Sequence, residues 1–389
     1  MNKDPIHHRS PLADYDPTRD SVSVIWDPTM EEELSFSFWK HHLRWLSDEI
    51  DWKEAESRKS MSFPLQPTHH RIVDRLRRFV EGTGFVNAHF GLTSSDIEDN
   101  VRRTQLQHAW TRCRHLLHLF CDNLRRLGSS IEQDVKTNAY THWQLAGVVP
   151  LHHRIYAWIT PLENMLPHTD NDEQCRISGK LMAGPVGDFS DVQQLLAYTK
   201  SYSKRNTYIE IVHSQLNHFP WFFYGLVQPW NIRPIQSSDH FDEEKAIAWI
   251  TRATAHLSKI ALDWRFLHSH GEMEPIQPEG YVGSSSIPSK SNPFKWEKAC
   301  SIARVIMPAH RGLLDVIANN GCERTLDTSW QIRKTLEQTT LDFERLLTTL
   351  MELDFAFTPK ANPGSLSETR EEKTERIILG ATRAEVYLT

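Results

Sequence analysis

Apolar residues returning every three or four positions over long stretches set the tightest limit on what this chain can fold into. From 241 to 270 the stripe runs Ile250, Leu257, Ile260, Trp264 and Leu267, and from 330 to 355 it runs Ile332, Leu336, Phe343, Leu347 and Leu350. That spacing is one face of a helix. Similar helical patterns cover about 99–127, 142–166 and 295–317, with no comparable set of alternating strand patterns, and glycine is sparse at 16 residues. The expected fold is all-α: five long helices in a bundle, whose seams and helix ends can present polar groups. The first 65 residues carry acidic runs and Trp-rich fragments such as FSFWKHHLRWL and read as a small helical part. The division expected is an N-terminal helical domain over 1–98, a central bundle over 99–350 and a short C-terminal segment over 351–389.

Charge and composition narrow the function classes. Lys and Arg number 44 against 50 Asp and Glu, a net charge of −6, so the basic excess of a nucleic-acid-coating protein is missing. No apolar stretch approaches the roughly 18 to 20 residues of a membrane span, and MNKDPIHHRSPLADYDP has no apolar signal region. A soluble, cytoplasmic protein without nucleic-acid or membrane partners is expected. The five cysteines are scattered without a C-x-x-C spacing, and the histidine pairs do not match H-E-x-x-H. Neither a disulfide framework nor a metal site is expected. The breaks between helices matter more: 271–293 is long and rich in Gly, Pro and Ser, a length at which loops are functional or disordered, and 359–373 is polar and reads as a linker.

Four segments put polar residues at helix ends or in loops. In HFGLTSSD, Thr93, Ser94 and Ser95 precede a long helix and offer hydroxyls and N–H groups to an anion, with an ordinary N-cap as the plainer reading. In THWQ, His142 stands where a helical run opens and is a candidate acid or base, against a structural histidine. The loop GSSSIPSKSNP supplies hydroxyls, Lys290 and Asn292, suited to carboxylates, and Glu297 follows it; a flexible linker is the alternative. In ERTLDTSWQIR, Arg324 and Arg333 flank Ser329, a set that suits phosphate, or else is surface charge.

Taken together and in this order, the segments resemble the fumarase/aspartase superfamily and, within it, the adenylosuccinate lyases. HFGLTSSDIEDN is similar to the first block of that family, THWQLA to T-H-x-Q-x-A, GSSSIPSKSNP to the signature loop G-S-S-x-M-P-x-K-x-N-P, and ERTLDTSWQIR to R-x-L-x-D-S-x-x-x-R. The resemblance runs from about 65 to 350, with SPLADY a fainter echo. It implies the long central helix bundle of that superfamily and a lyase that eliminates fumarate from an N-succinyl substrate by anti β-elimination, converting adenylosuccinate to AMP and fumarate. Ser284 would be the base, His142 the general acid oriented by Glu297, and His70 a second active-site histidine. Thr93, Ser94, Gln144, Lys290 and Asn292 would hold carboxylates, and Arg324, Ser329 and Arg333 the nucleotide phosphate. No cofactor or metal is implied, and a homotetramer with sites shared between subunits is.

The departures bear on substrate. The loop carries Ile287, Ser289 and Ser291 in place of Met, His and Arg, so its charge is lower. Arg71 follows His70 where the family has Asp, the Arg of the N-terminal S-P-x-D-G-R-Y block is missing, and Trp143 stands beside His142 in place of Gly. These leave open a specialised paralogue cleaving another succinylated amine. A catalytically silent scaffold relative is the reading from another class, and the joint retention of Ser284, His142, Lys290, Asn292 and Glu297 argues against it.

Overall fold

The computed structural model describes residues 6–8, 21–49, 70–166, 175–198, 208–229, 235–276, 280, 282–287, 290–352 and 355–358. SPLADY and the polar stretch 359–373 lie outside the described residues. In chain order the elements are β1 (Ile6–His8), α1 (Pro28–Glu49), α2 (Arg71–Thr83), α3 (Ser94–Ser130), β2 (Lys136–Thr141), β3 (Gln144–Pro150), α4 (Leu151–Glu163), α5 (Ser190–Tyr198) and α6 (Tyr208–His218). They continue with α7 (Phe241–Ser269), β4 (Met273–Pro275), α8 (Phe294–Ile306), α9 (Ala309–Asn319), α10 (Asp327–Met351) and β5 (Phe355–Phe357). The expected all-α character holds, with short strands at one end of the bundle.

Three long helices carry the core. On α7, Ile250, Leu257, Ile260, Trp264 and Leu267 are essentially fully buried, as the stripe requires. Burying each such side chain stabilises the fold by about 1.5–3 kcal/mol. Trp110 of α3 meets Trp249 of α7 with ring centroids 6.2 Å apart, and further along Phe120 meets Trp264 at 6.3 Å. Trp249 also meets Phe343 of α10 at 6.0 Å. The order of these contacts makes α3 and α7 run in the same direction, and α10 joins them, its Arg333 lining one cavity with Arg102 of α3 and its Thr340 carbonyl meeting Cys113 Sγ further along α3 at 3.7 Å. α4 and α8–α9 return antiparallel: Trp296 near the start of α8 packs on Trp264 near the end of α7, and His310 of α9 bonds Glu244 near its start. We call the end at which α3, α7 and α10 finish the upper end. There β5 pairs antiparallel with both β1 and β4, and β2–β3 form a separate hairpin.

Two expectations are corrected. The helical pattern of 142–166 starts only at Leu151; residues 136–150 form the hairpin, because Pro150 cannot continue a helix ladder and TNAYT and QLAGVV are rich in β-branched and aromatic residues. The pattern of 295–317 is two helices, divided at Pro308, which has no N–H to donate.

At the lower end the core turns polar. Arg103, fully enclosed on α3, donates to both oxygens of Glu243 at 3.2 and 3.1 Å, to the Ser178 carbonyl at 2.9 Å and to Ser238 Oγ at 2.6 Å. Burial opposes the charge on Glu243, and Arg103 overrides it, holding the carboxyl well below the usual carboxylate range. Glu243→Gln removes the buried carboxylate of that pair and leaves the guanidinium only the more distant Asp239 at 3.4 Å and Asp242 at 3.9 Å. It is expected to lower the unfolding free energy by about 2–3 kcal/mol in a urea titration, less than the roughly 3–5 kcal/mol of a buried charge left wholly unpaired. Glu81→Gln, at the partly exposed pair with Arg77, should change it by less than about 0.5 kcal/mol.

Candidate active site

The first block sits on a buried scaffold. Thr93 is the N-cap of α3, and its N–H donates to Asp96 Oδ2 at 2.9 Å. Asp96 itself is fully buried: it pairs with Lys180 and accepts the N–H groups of Ala183 at 3.3 Å and Gly184 at 3.0 Å. Asn100 bridges the Lys180 backbone in both directions at 2.8 Å, and Ser95 Oγ donates to the Gln236 carbonyl at 2.5 Å. Ser95 is thus committed to structure, whereas Thr93 and Ser94 remain partly exposed. From the other side α1 buttresses the loop: His42 Nε2 meets the Phe90 carbonyl at 2.9 Å, and Trp39 Nε1 donates to His89 Nδ1 at 3.3 Å.

His70 and the phosphate candidates come to this same lower end. His70 is exposed at the N-cap of α2, and its charge acts on His89. Burial, then His70, pushes His89 down to about 4. Arg71 pairs with Glu31, which also takes Arg75 at 2.7 Å. Arg333, on the second turn of α10, donates to Ser329 Oγ at 2.8 Å, and Arg324 lies in the connection before that helix. A cavity of about 190 Å³ brings Arg71, Arg102 and Arg333 together with Glu31, Glu98 and Glu337.

The remaining candidates gather at the upper end. His142 and Trp143 form the tip of the hairpin with φ of 50° and 63°, left-handed values that cost about 1–2 kcal/mol for residues with a Cβ. Both are exposed, Gln144 opens β3, and a cavity of about 600 Å³ runs beneath them against α4 and α7, with His153, Arg154, Lys259 and Asp263 in its wall. In the signature loop Asn292 Nδ2 donates to the Gly283 carbonyl at 2.8 Å, closing the loop at its base. Gly283 fits tightly there, since a Cβ would come within 2.4 Å of the Lys290 carbonyl oxygen. His268 contacts the Ser291 carbonyl at 3.1 Å. Ser284 Oγ accepts the N–H groups of Ser286 and Ile287 at 3.3 and 3.2 Å, and Lys290 is exposed. Glu297, on the first turn of α8, accepts from Arg265 at 3.3 Å.

One chain therefore brings Ser284, His142, Gln144, Lys290, Asn292 and Glu297 to one end of the bundle and Thr93, Ser94, His70, Arg324, Ser329 and Arg333 to the other. α7 spans the distance between them; with 29 residues at about 1.5 Å each it is about 43 Å long. The buried partners Lys180, Arg103, Glu243 and Glu272 were not singled out by sequence, which offered a signal only for Asp96, the fourth residue of a T-x-x-D capping box.

A family model described as Lyase matches residues 74–308. The chain belongs to this lyase family, within the fumarase/aspartase superfamily. It is 26% identical over 312 residues to an adenylosuccinate lyase of Caenorhabditis briggsae, covering 79% of this chain and 60% of that one. It is 26% identical over 322 residues to an adenylosuccinate lyase of Archaeoglobus fulgidus, covering 77% and 65%. The chain thus spans about 60% of the length of these curated relatives. A solved fumarate lyase from Mesorhizobium sp. BNC1 shares the fold, with a TM-score of 0.61 over 85% of this chain and 73% of that one at 14% identity. Among the described residues no helix is long and apolar enough to cross a membrane, and no three His, Cys, Asp or Glu side chains gather as a metal site.

The loop that carries Thr93 and Ser94 has a built-in pH dependence. Burial pushes His42 down to about 4 from the ordinary 6.5. Between those values the unfolded chain binds the proton that the folded one refuses, so stability falls as pH drops from about 6.5 to 4. The loss from His42 alone reaches about 3 kcal/mol. Urea titrations at pH 7 and pH 5 should show the fall in wild type and a smaller one in His42→Gln.

Proposed function

We propose that the protein is a lyase that eliminates fumarate from an N-succinyl substrate, with adenylosuccinate, giving AMP and fumarate, as the substrate of first choice. What carries the reading is the environment of Ser284. Its hydroxyl already accepts two backbone N–H groups, from Ser286 and Ile287, within the signature loop. Donors aimed at an oxygen favour its anion, which an ordinary serine cannot form at neutral pH.

In the proposed reaction Ser284 Oγ takes the proton from Cβ of the succinyl group. The electron pair left on Cβ becomes the new double bond as the C–N bond breaks. His142 gives its proton to the departing nitrogen, with Glu297 as its orienting carboxylate and His70 near the leaving group. Lys290 and Asn292 hold the succinyl carboxylate on which charge develops, and Thr93, Ser94 and Gln144 the other. Arg324, Ser329 and Arg333 take the phosphate. Because these residues fall at opposite ends of α7, the reading requires a homo-oligomer, a tetramer in our proposal, in which one copy's upper end meets the lower end of others.

A second reading, another succinylated amine, is favoured by the carboxylates Glu31, Glu98 and Glu337 that share the cavity of Arg71 and Arg333. Mixing purified protein with adenylosuccinate and following fumarate by absorbance separates the two. Wild type should release fumarate and Ser284→Ala should be slower by about 10³-fold, within the range for a lost general base. Fumarate from other succinylated amines only would select the second reading, and none from any would refute both. Ser284→Ala and Thr93→Ala, each strongly impaired alone, should regain a fraction of the wild-type rate when their subunits are exchanged; failure to do so would refute shared sites.

A further inference from the structure

The hairpin that carries His142 has little of its own to hold it. It is a two-stranded ribbon, an arrangement at best marginally stable alone, and its second strand is open to solvent at Leu145 and Val148. Its tip adopts two consecutive left-handed residues, which persist only where the surroundings over-determine them. What fixes it is a buried carboxylate outside the residues assigned above. Glu272, 1% exposed, follows the end of α7. Its own backbone is pinned: the N–H donates to the Leu267 carbonyl at 2.9 Å, and its carbonyl accepts from Thr358 at 3.0 Å. The side chain faces β2. Oε2 accepts Thr137 Oγ1 at 2.7 Å and the Asn138 N–H at 3.1 Å, and Oε1 accepts Asn138 Nδ2 at 3.2 Å and the Tyr140 hydroxyl.

All four donors stand on one strand, and the last is two residues before His142. Tyr140 extends the clamp, its ring lying 4.8 Å from that of Phe266 on α7, which also meets Trp143 at 4.8 Å. Arg154, on α4, donates to the Asn138 carbonyl and ties the same stretch of β2 from behind. A carboxylate suits this position because every partner is a donor. An amide in its place would keep one acceptor oxygen and turn an NH₂ group against hydroxyl and N–H donors.

We propose that Glu272 is a positioning residue for His142, fixing β2 on the bundle so that the acid stands at one place at the upper end. The proposal rests on the reading of His142 as the general acid. A displacement of about 1 Å at such a group lowers turnover by up to about 100-fold. In the full-length oligomer Glu272→Gln should therefore reduce kcat 10- to 100-fold with KM within about twofold. Amide exchange over 136–150 should quicken, and Glu272→Asp, which keeps the charge, should recover part of the rate.

The deciding experiment is a double-mutant cycle on kcat with His142→Gln. If His142→Gln turns over at the wild-type rate, the functional reading itself falls. If His142→Gln is slow and Glu272→Gln then costs nothing further, Glu272 acts through His142. If Glu272→Gln instead multiplies the loss by the same factor in both backgrounds, the inference is overturned while the reading of His142 stands. Should Glu272→Gln fail to assemble, Tyr140→Phe and Thr137→Val, each deleting one donor, take its place in the cycle: no further loss beside His142→Gln supports the inference, and an equal loss in both backgrounds overturns it.

Discussion

Arg103 is the constraint on which the lower half of the molecule depends. A guanidinium inside a helix bundle is tolerated only with its donors matched, because an unpaired buried charge costs far more than its hydrogen bonds return. Glu243, Ser178 and Ser238 supply the match, and they come from α7 and from two largely irregular segments, 175–184 and 235–240. Those segments have few apolar residues in periodic array and would not find α3 by hydrophobic burial alone. Once drawn there, they deliver Lys180, Ala183 and Gly184 to Asp96 and the Gln236 carbonyl to Ser95. Thr93 and Ser94 thus stand at the surface on a first helical turn whose inner side is fixed by charge.

How much of this was legible follows from the range of each signal. The long helices were readable because a 3.6-residue period repeats many times in α3, α7 and α10. The hairpin was not, since six or seven residues of alternation are easily absorbed into the helix that starts at Leu151, and His142 and Trp143 are not the Asn or Gly that usually announce a tight turn. The loop of Ser284 was readable as a block of unusual composition. Its fastening was not, because His268 reaches Ser291 from another element. Lys180, Glu243 and Glu272 are single charged residues whose partners lie far along the chain, and no local pattern marks them.

Parallel packing of α3, α7 and α10 also explains why one copy cannot unite the candidates. Each connection between them must return by an antiparallel helix, so the residues after α3 and α7, the hairpin and the signature loop, collect at the upper end. The residues before α3 and α10 collect at the lower. Helices of this length with buried seams do not bend to join their own ends. For one site to use both sets, ends of different copies must meet.

The lower cavity then sets a charge condition on what can occupy it. Arg71 and Arg75 share Glu31, Lys334 reaches Glu337 at 3.2 Å, and Arg102 is taken by Asp99 at 2.7 Å. Arg333 is left facing a lining that also contains Glu98. A phosphate dianion drawn to Arg333 would feel each unscreened carboxylate at, for example, 6 Å as a repulsion of about 3 kcal/mol per charge pair at an effective dielectric of 20. Pairing of Glu31 and Glu337 removes much of that penalty but also spends Arg71, the one cation this chain adds at the family's Asp position. The lining is therefore close to balanced rather than strongly cationic. Such a site discriminates less in favour of a phosphate than three free guanidiniums would.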